Sequence, residues 1–158
     1  MRIGHGVDAH RLVPGRPLML GGVAVPHTDG LEGHSDGDAL CHALCDAILG
    51  AAGLGDLGRH FPSSEERWRG VAGTELLRRC AALAHEAGFA VASAHAVAIA
   101  HAPRLAPHTA AMTAAIAAAL GVDPERVAVS ATSTDGMGFT GRGEGIAASA
   151  VVLLSPLS

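Results

Sequence analysis

Asp8 and His10 stand two residues apart inside the short apolar stretch from Ile3 to His10, and His42 follows far downstream in a segment of helical periodicity. Few patterns restrict a fold more. Side chains at i and i+2 of a strand leave the same face, so the three residues converge only if a helix lies over the sheet and lowers His42 onto the strand. The other side of the same strand then carries Ile3, His5 and Val7, which gives it two working faces. Two imidazoles and one carboxylate fill three positions of a tetrahedral zinc and leave the fourth open for chemistry. Each residue alone would read as an ordinary hydrogen-bonded side chain. Together they read as a metal site, with Asp38 and Asp46, one helical turn on either side of His42, able to orient its ring.

The rest of the chain supplies the elements that such a site needs. Leu18 to Val25 reads as a hairpin turning at Gly21-Gly22. From Asp36 to Ala52 the apolar residues Leu40, Leu44 and Ile48 recur at helical spacing, with Ser35 or Asp36 as the cap. Gly53 to Trp68 has no periodicity and reads as a long loop. A second helix is expected from Thr74 to Glu86, ending at Gly88. A strand follows from Phe89 to Ala100; Pro103 and Pro107 precede a third helix ending near Leu120-Gly121. Val127 to Thr132 is a strand, Ser133 to Arg142 a glycine-containing loop, and Ile146 to Leu154 a final strand. This order predicts one domain over residues 1–158: a two-layer α+β (α/β) fold, with a mixed four-stranded β-sheet and helices packed on one face.

Composition narrows the partners. A net charge of -4 without a basic stripe, and 3% aromatic residues, argue against nucleic acid. No positive segment leads into an apolar run at Met1 to Gly6, and Ala110 to Leu120 is too short to cross a bilayer, so the expectation is a cytoplasmic protein with no membrane partner. Cys41, Cys45 and Cys80 lack C-x-x-C spacing and read as buried small hydrophobes. All 11 basic residues are arginine, so a cation that meets phosphate here does so through a planar fork.

Further polar clusters suit anions. His34-Ser35-Asp36-Gly37 precedes the expected helix and offers a hydroxyl and backbone N–H groups at its positive end. Thr132-Ser133-Thr134-Asp135 follows a strand with three hydroxyls and a carboxylate, a set suited to phosphate oxygens and magnesium. Ala100-His101-Ala102-Pro103-Arg104 joins a strand end to a rigid turn, where free backbone groups and a guanidinium could read a base edge and a phosphate together. Gly138 to Gly145 is glycine-rich without the spacing of a P-loop or a dinucleotide fingerprint.

Asp8-x-His10, His34-Ser35-Asp36-Gly37-Asp38, Gly55-Asp56-Leu57-Gly58 with Phe61-Pro62, Ala102-Pro103, and Gly138-Phe139-Thr140-Gly141-Arg142-Gly143-Glu144-Gly145, taken in order, closely resemble the 2-C-methyl-D-erythritol 2,4-cyclodiphosphate synthase family. The resemblance implies a homotrimer around a central β-lined axis with interfacial active sites. It implies a cytidine diphosphate substrate, 4-diphosphocytidyl-2-C-methyl-D-erythritol 2-phosphate, cyclised with loss of CMP in the non-mevalonate route to isoprenoid precursors. By position, Asp8, His10 and His42 resemble ligands of one zinc per subunit, and Asp135 a ligand of magnesium (or manganese) on the diphosphate. His34 and Ser133 match transition-state stabilisers. His34, Ser35 and Asp56, with Leu57, Gly58, Phe61, Pro62, Ser63, Ser64 and Glu65, fall on the methylerythritol phosphate side. Ala100, Pro103, Arg104 and Ala106, with Thr132, Ser133, Thr134 and Asp135, fall on the cytidine and diphosphate side. Ser133, Asp135 and Arg104 stand where the family often carries threonine, glutamate and lysine. Phe139 and Arg142 also fall among the substrate-binding positions, and in the implied trimer Ile3, His5 and Val7 would line a central cavity closed by Arg142 and Glu144, with room for an isoprenoid diphosphate. A zinc phosphohydrolase and a non-enzymatic trimeric sensor remain as alternatives.

Overall fold

The computed structural model describes residues 1–158. In chain order the elements are β1 (Arg2–Pro14), β2 (Leu18–Leu20), β3 (Val23–Val25), β4 (Asp29–Leu31), α1 (Ala39–Ala52), α2 (Leu57–His60), α3 (Gly73–Glu86), β5 (Phe89–Ile99), α4 (Thr109–Leu120), β6 (Val127–Thr132), α5 (Gly138–Gly141) and β7 (Gly145–Pro156). The main sheet runs β4-β1-β7-β5-β6, and β2 pairs with β3 as a separate hairpin. Only β5 and β6 are parallel; β1 with β4, β1 with β7 and β5 with β7 are antiparallel. The chain is therefore α+β with a mixed sheet, as expected, but with five strands where four were expected. The extra one, β4, is the tripeptide Asp29-Gly30-Leu31 paired to the end of β1. Aspartate and glycine are poor strand formers, so nothing but its pairing partner marks it as a strand.

Small residues bring helix and sheet together. A Cβ on Gly4 would lie 1.8 Å from the Ala47 carbonyl oxygen, and one on Gly6 2.0 Å from that of Ala43, so α1 rests directly on the backbone of β1. Ala148 and Ala150 of β7 and Ala94, Ala96 and Ala98 of β5 extend this shallow seat, and all are buried. Of the 14 residues of α1, 12 are buried, because the sheet lies beneath it and α3 beside it. Leu40, Leu44, Ile48, Leu77, Met112 and Ile116 fill the helical layer. The opposite face of the sheet has no helix over it: Ile3, Val7 and Val151 are 74%, 61% and 46% exposed.

The first helix begins later than its periodicity suggests, at Ala39, and its cap is Asp38, whose carboxylate accepts the Cys41 N–H. Ser35 and Asp36 lie in the loop before it and do not cap the helix. The non-periodic segments also contain helical turns, α2 and α5. No helix is long and apolar enough to cross a membrane.

Candidate metal centre

The close seat of α1 decides the site, because it places His42, in the first turn, directly over the even-numbered side of β1. Asp8 Oδ2 lies 2.7 Å from His10 Nε2 and 3.1 Å from His42 Nδ1, and the two imidazole nitrogens are 3.1 Å apart. The far nitrogen of each ring is held elsewhere. His10 Nδ1–H donates to the Glu32 carbonyl at 2.6 Å, and His42 Nε2 meets Ser35 Oγ at 3.0 Å. A carbonyl accepts only, so His10 must carry its proton on Nδ1 and turn the Nε2 lone pair inward. The corresponding tautomer of His42 donates Nε2–H to Ser35 and frees Nδ1. Outer partners that fix ring tautomers in this way are the usual support of a metal-binding histidine. Ser35 is itself secured, since Arg16 donates to the carbonyls of Gly33 and Ser35 at 3.0 and 2.9 Å. The donor set and its outer partners fit a divalent ion such as zinc.

Burial pushes the Asp8 carboxyl up, but hydrogen bonds and charge from His10 and His42 outweigh it and hold Asp8 at about 2. For His10 burial pulls the value down, and the Asp8 carboxylate overcomes it to raise the imidazole above its ordinary 6.5. The metal-free pair therefore stabilises the fold where Asp8 is ionised and His10 protonated. The Asp8 contribution is present above 3.8 and lost as pH falls toward 2, and the His10 contribution is present below 6.5 and lost as pH rises through its raised value. Metal needs the neutral imidazole, so metal affinity runs the opposite way across the upper range. Thermal melts of chelator-treated protein are expected to show stability declining above about pH 6.5, while added zinc stabilises increasingly there. A parallel trend in both would contradict the assignment.

Asp38 and Asp46 do not orient His42, contrary to the reading of the polar stripe. Asp38 is fully buried and its oxygens accept N–H groups from Gly21 and Gly22 at 2.9 and 2.7 Å as well as its own helix cap. The turn of the β2–β3 hairpin thus uses the carboxylate that stripe geometry assigns to the histidine. Asp46 accepts the Leu57 N–H at 2.7 Å, which ties the start of α2 to α1. Burial raises the Asp46 carboxyl above its ordinary value.

The metal donors open onto a cavity of about 260 Å3, where Asp8, His10, His34, Ser35, Leu57, Gly58, Phe61 and Ser63 come together as expected. Asp56 does not line the cavity and serves as the cap of α2, accepting the Arg59 N–H. Pro62, Ser64 and Glu65 do not line the wall, although the Glu65 carbonyl lies 3.0 Å from His34 Nε2. Trp68, Val71 and Leu76 complete the wall and were not anticipated. Trp68 and Val71 lie in non-periodic sequence and Leu76 reads as plain helix core, so no local pattern marks them.

A second cavity of about 190 Å3 gathers Ala100, Pro103, Arg104, Ala106 and Thr132, all anticipated as one group. Ser133 and Asp135 are exposed beside it, with Ser133 Oγ 3.4 Å from Asp135 Oδ1. Asp135 is the one non-glycine residue with positive φ, 53°, a conformation that a short polar side chain tolerates. Thr134 Oγ1 donates to the Met137 carbonyl, and it lies 2.9 Å from Thr140 Oγ1. This group lies at the β6 edge, three strand spacings or about 14 Å from β1. His34 and Ser133 are accordingly not neighbours within one chain. Arg142 does not line the metal cavity and pairs with Glu144 at 3.2 Å, which Arg11 reaches at 3.1 Å. Phe139 walls another cavity of about 170 Å3 together with His10, Arg11 and Glu144.

An α+β domain carrying a partly buried aspartate–dihistidine cluster beside a cavity defines a class of metal-centre proteins, and the comparisons narrow it. The YgbB family model matches residues 1–155, and the chain belongs to that family. It is 54% identical over 154 residues to 2-C-methyl-D-erythritol 2,4-cyclodiphosphate synthase of Laribacter hongkongensis, covering 98% of this chain and 95% of the relative. The synthase of the same name from Moorella thermoacetica is 56% identical over 98% of this chain and 94% of its own length. A solved structure of 2C-methyl-D-erythritol-2,4-cyclodiphosphate synthase in a CDP-bound form superposes with a TM-score of 0.89 at 38% identity, covering 98% of this chain and 100% of the other.

Replacing Ser35 by alanine removes the partner of His42 Nε2 without touching a donor atom. The expected result is a loss of about 10–100-fold in zinc affinity, read by competition with a chromophoric chelator, and an unchanged affinity would remove Ser35 from this role.

Proposed function

We propose that this chain is a phosphorus-oxygen lyase that cyclises 4-diphosphocytidyl-2-C-methyl-D-erythritol 2-phosphate to 2-C-methyl-D-erythritol 2,4-cyclodiphosphate and releases CMP, in non-mevalonate isoprenoid precursor biosynthesis. The observation that carries the proposal is the Asp8–His10–His42 cluster opening onto the cavity that holds His34, Ser35 and Phe61. In the reaction an oxygen of the substrate's own 2-phosphate attacks the β-phosphorus. The bond from that phosphorus to the α-phosphate oxygen breaks, and CMP leaves with the electron pair. The nucleophile is already anionic and intramolecular, so no serine or cysteine nucleophile is needed.

What remains for the protein is positioning and charge neutralisation. Held by Asp8, His10 and His42, with a magnesium or manganese ion on Asp135, zinc would supply Lewis-acid neutralisation of the phosphates. His34 and Ser35, with Asp56, Leu57, Gly58 and Phe61 to Glu65, would hold the methylerythritol phosphate. Ala100, Pro103, Arg104 and Ala106, with Thr132 to Asp135, would take the cytidine and diphosphate. Folding the substrate back for in-line attack is worth about 7–11 kcal/mol in effective molarity. Incubation with this substrate is expected to give CMP and cyclic diphosphate in equal amounts; CMP with a linear phosphate would indicate hydrolysis.

The two halves of this site lie apart in one chain, and the sheet face bearing Ile3, Val7 and Val151 is open. Both observations support a homotrimer packed through that face, in which one subunit's nucleotide pocket meets its neighbour's metal centre and Ser133 meets His34. Its central cavity, closed by Arg142–Glu144 pairs, would admit an isoprenoid diphosphate; co-purification of that ligand with an Arg142→Ala trimer would count against this. Sedimentation is expected to give a trimer for the native protein and monomers for Val151→Glu, with cyclisation lost and zinc retained. A trimeric, inactive Val151→Glu would contradict the interface.

A further inference from the structure

Behind the wall of the metal cavity lies a fourth cavity, about 360 Å3, that the proposed cyclisation does not use. The two share Phe61 and Trp68, which meet edge-to-face with ring centroids 4.9 Å apart. Two guanidiniums pack against the indole: Arg67 lies 4.7 Å and Arg79 5.2 Å from the ring centroid. Each spends only its Nε on a neighbouring acid, Arg67 on Glu65 and Arg79 on Glu75. Their four terminal amino groups make no hydrogen bond in the structure, and both side chains line the cavity. Ala82 and Leu83 add an apolar floor from α3, and Glu86 is the one acid on the lining.

Such a set has a definite preference. Two guanidiniums held beside one indole and lining the same cavity, each with its Nη edge unspent, match the paired oxygens of a phosphate or carboxylate. The apolar floor and the aromatic pair match an uncharged body behind that head group. The geometry points to a binding site for a small amphipathic anion, a phosphate or carboxylate on an apolar or planar body, clamped by Arg67 and Arg79 against Trp68. The site is separate from the metal donors and stands whether or not the proposed cyclisation is the reaction. An occupant would press on the Phe61–Trp68 pair, which is also a wall of the metal cavity, so binding here would be felt there.

Trp68 is the only tryptophan of the chain, so its emission reports on this site. Phenyl phosphate is the probe, added to chelator-treated native protein and to Arg67→Gln/Arg79→Gln, with calorimetry in parallel because the substitutions themselves alter the tryptophan environment. A saturable response in the metal-free native protein, with affinity at least tenfold lower in the double variant and tenfold lower for inorganic phosphate, is the expected result. Equal affinity in the double variant would overturn the proposal. So would a native response that requires zinc, because the anion would then be reading the metal centre, and so would the absence of any saturable response.

Discussion

His42→Ala is expected to abolish stoichiometric zinc binding and to lower kcat by more than about 10²-fold, the scale for removing one preorganised electrostatic group from a transition state. The side chain supplies one of three donors from the most buried position in the cluster, at 5% exposure. It is also the only donor from the helical layer. Its loss leaves Asp8 and His10, both on β1, with no counterpart above them. The fold should survive, because α1 keeps its apolar packing and its Asp38 cap. Metal content by mass spectrometry and a circular dichroism melt separate these effects. Retained zinc at one per chain would contradict the assignment, and a collapsed fold would show His42 to be structural.

Asp38→Ala should be the most destabilising polar substitution in the chain, at about 3–5 kcal/mol. Its carboxylate is fully buried and accepts N–H groups from Gly21, Gly22 and Cys41. Alanine would leave those donors without an acceptor, at about 1–3 kcal/mol for each that stays buried. The hairpin of β2 and β3 would come away from α1 together with the helix cap. Asp38→Asn keeps one acceptor oxygen and should cost less. Urea unfolding measures both, and a change below about 1 kcal/mol for the alanine variant would show that water replaces the carboxylate.

These two residues also show where sequence reading reaches its limit. His42 was legible because strand parity and helical spacing are local rules, and they place Asp8, His10 and His42 on facing surfaces without knowledge of the full topology. Asp38 was assigned to the wrong neighbour. The rule of four residues per helical step puts it beside His42, but Asp38 lies before the first turn, where a carboxylate faces backbone N–H groups from elsewhere. The group Ala100, Pro103, Arg104, Ala106 and Thr132 was legible through the resemblance, and the structure does gather it into one cavity. β4 was not legible, since a glycine-containing tripeptide becomes a strand only by pairing with Leu12 to Pro14. Trp68 was missed because the wall it forms depends on how a non-periodic segment folds back over α1 and α3.

The most direct test of the account is phosphorus NMR of the purified protein with the cytidyl substrate and magnesium, run on the native chain, on His42→Ala and on chelator-treated protein. The account predicts a cyclic diphosphate together with CMP from the native chain and neither from the two controls. A linear phosphate product, or cyclisation at the native rate by His42→Ala, would contradict it.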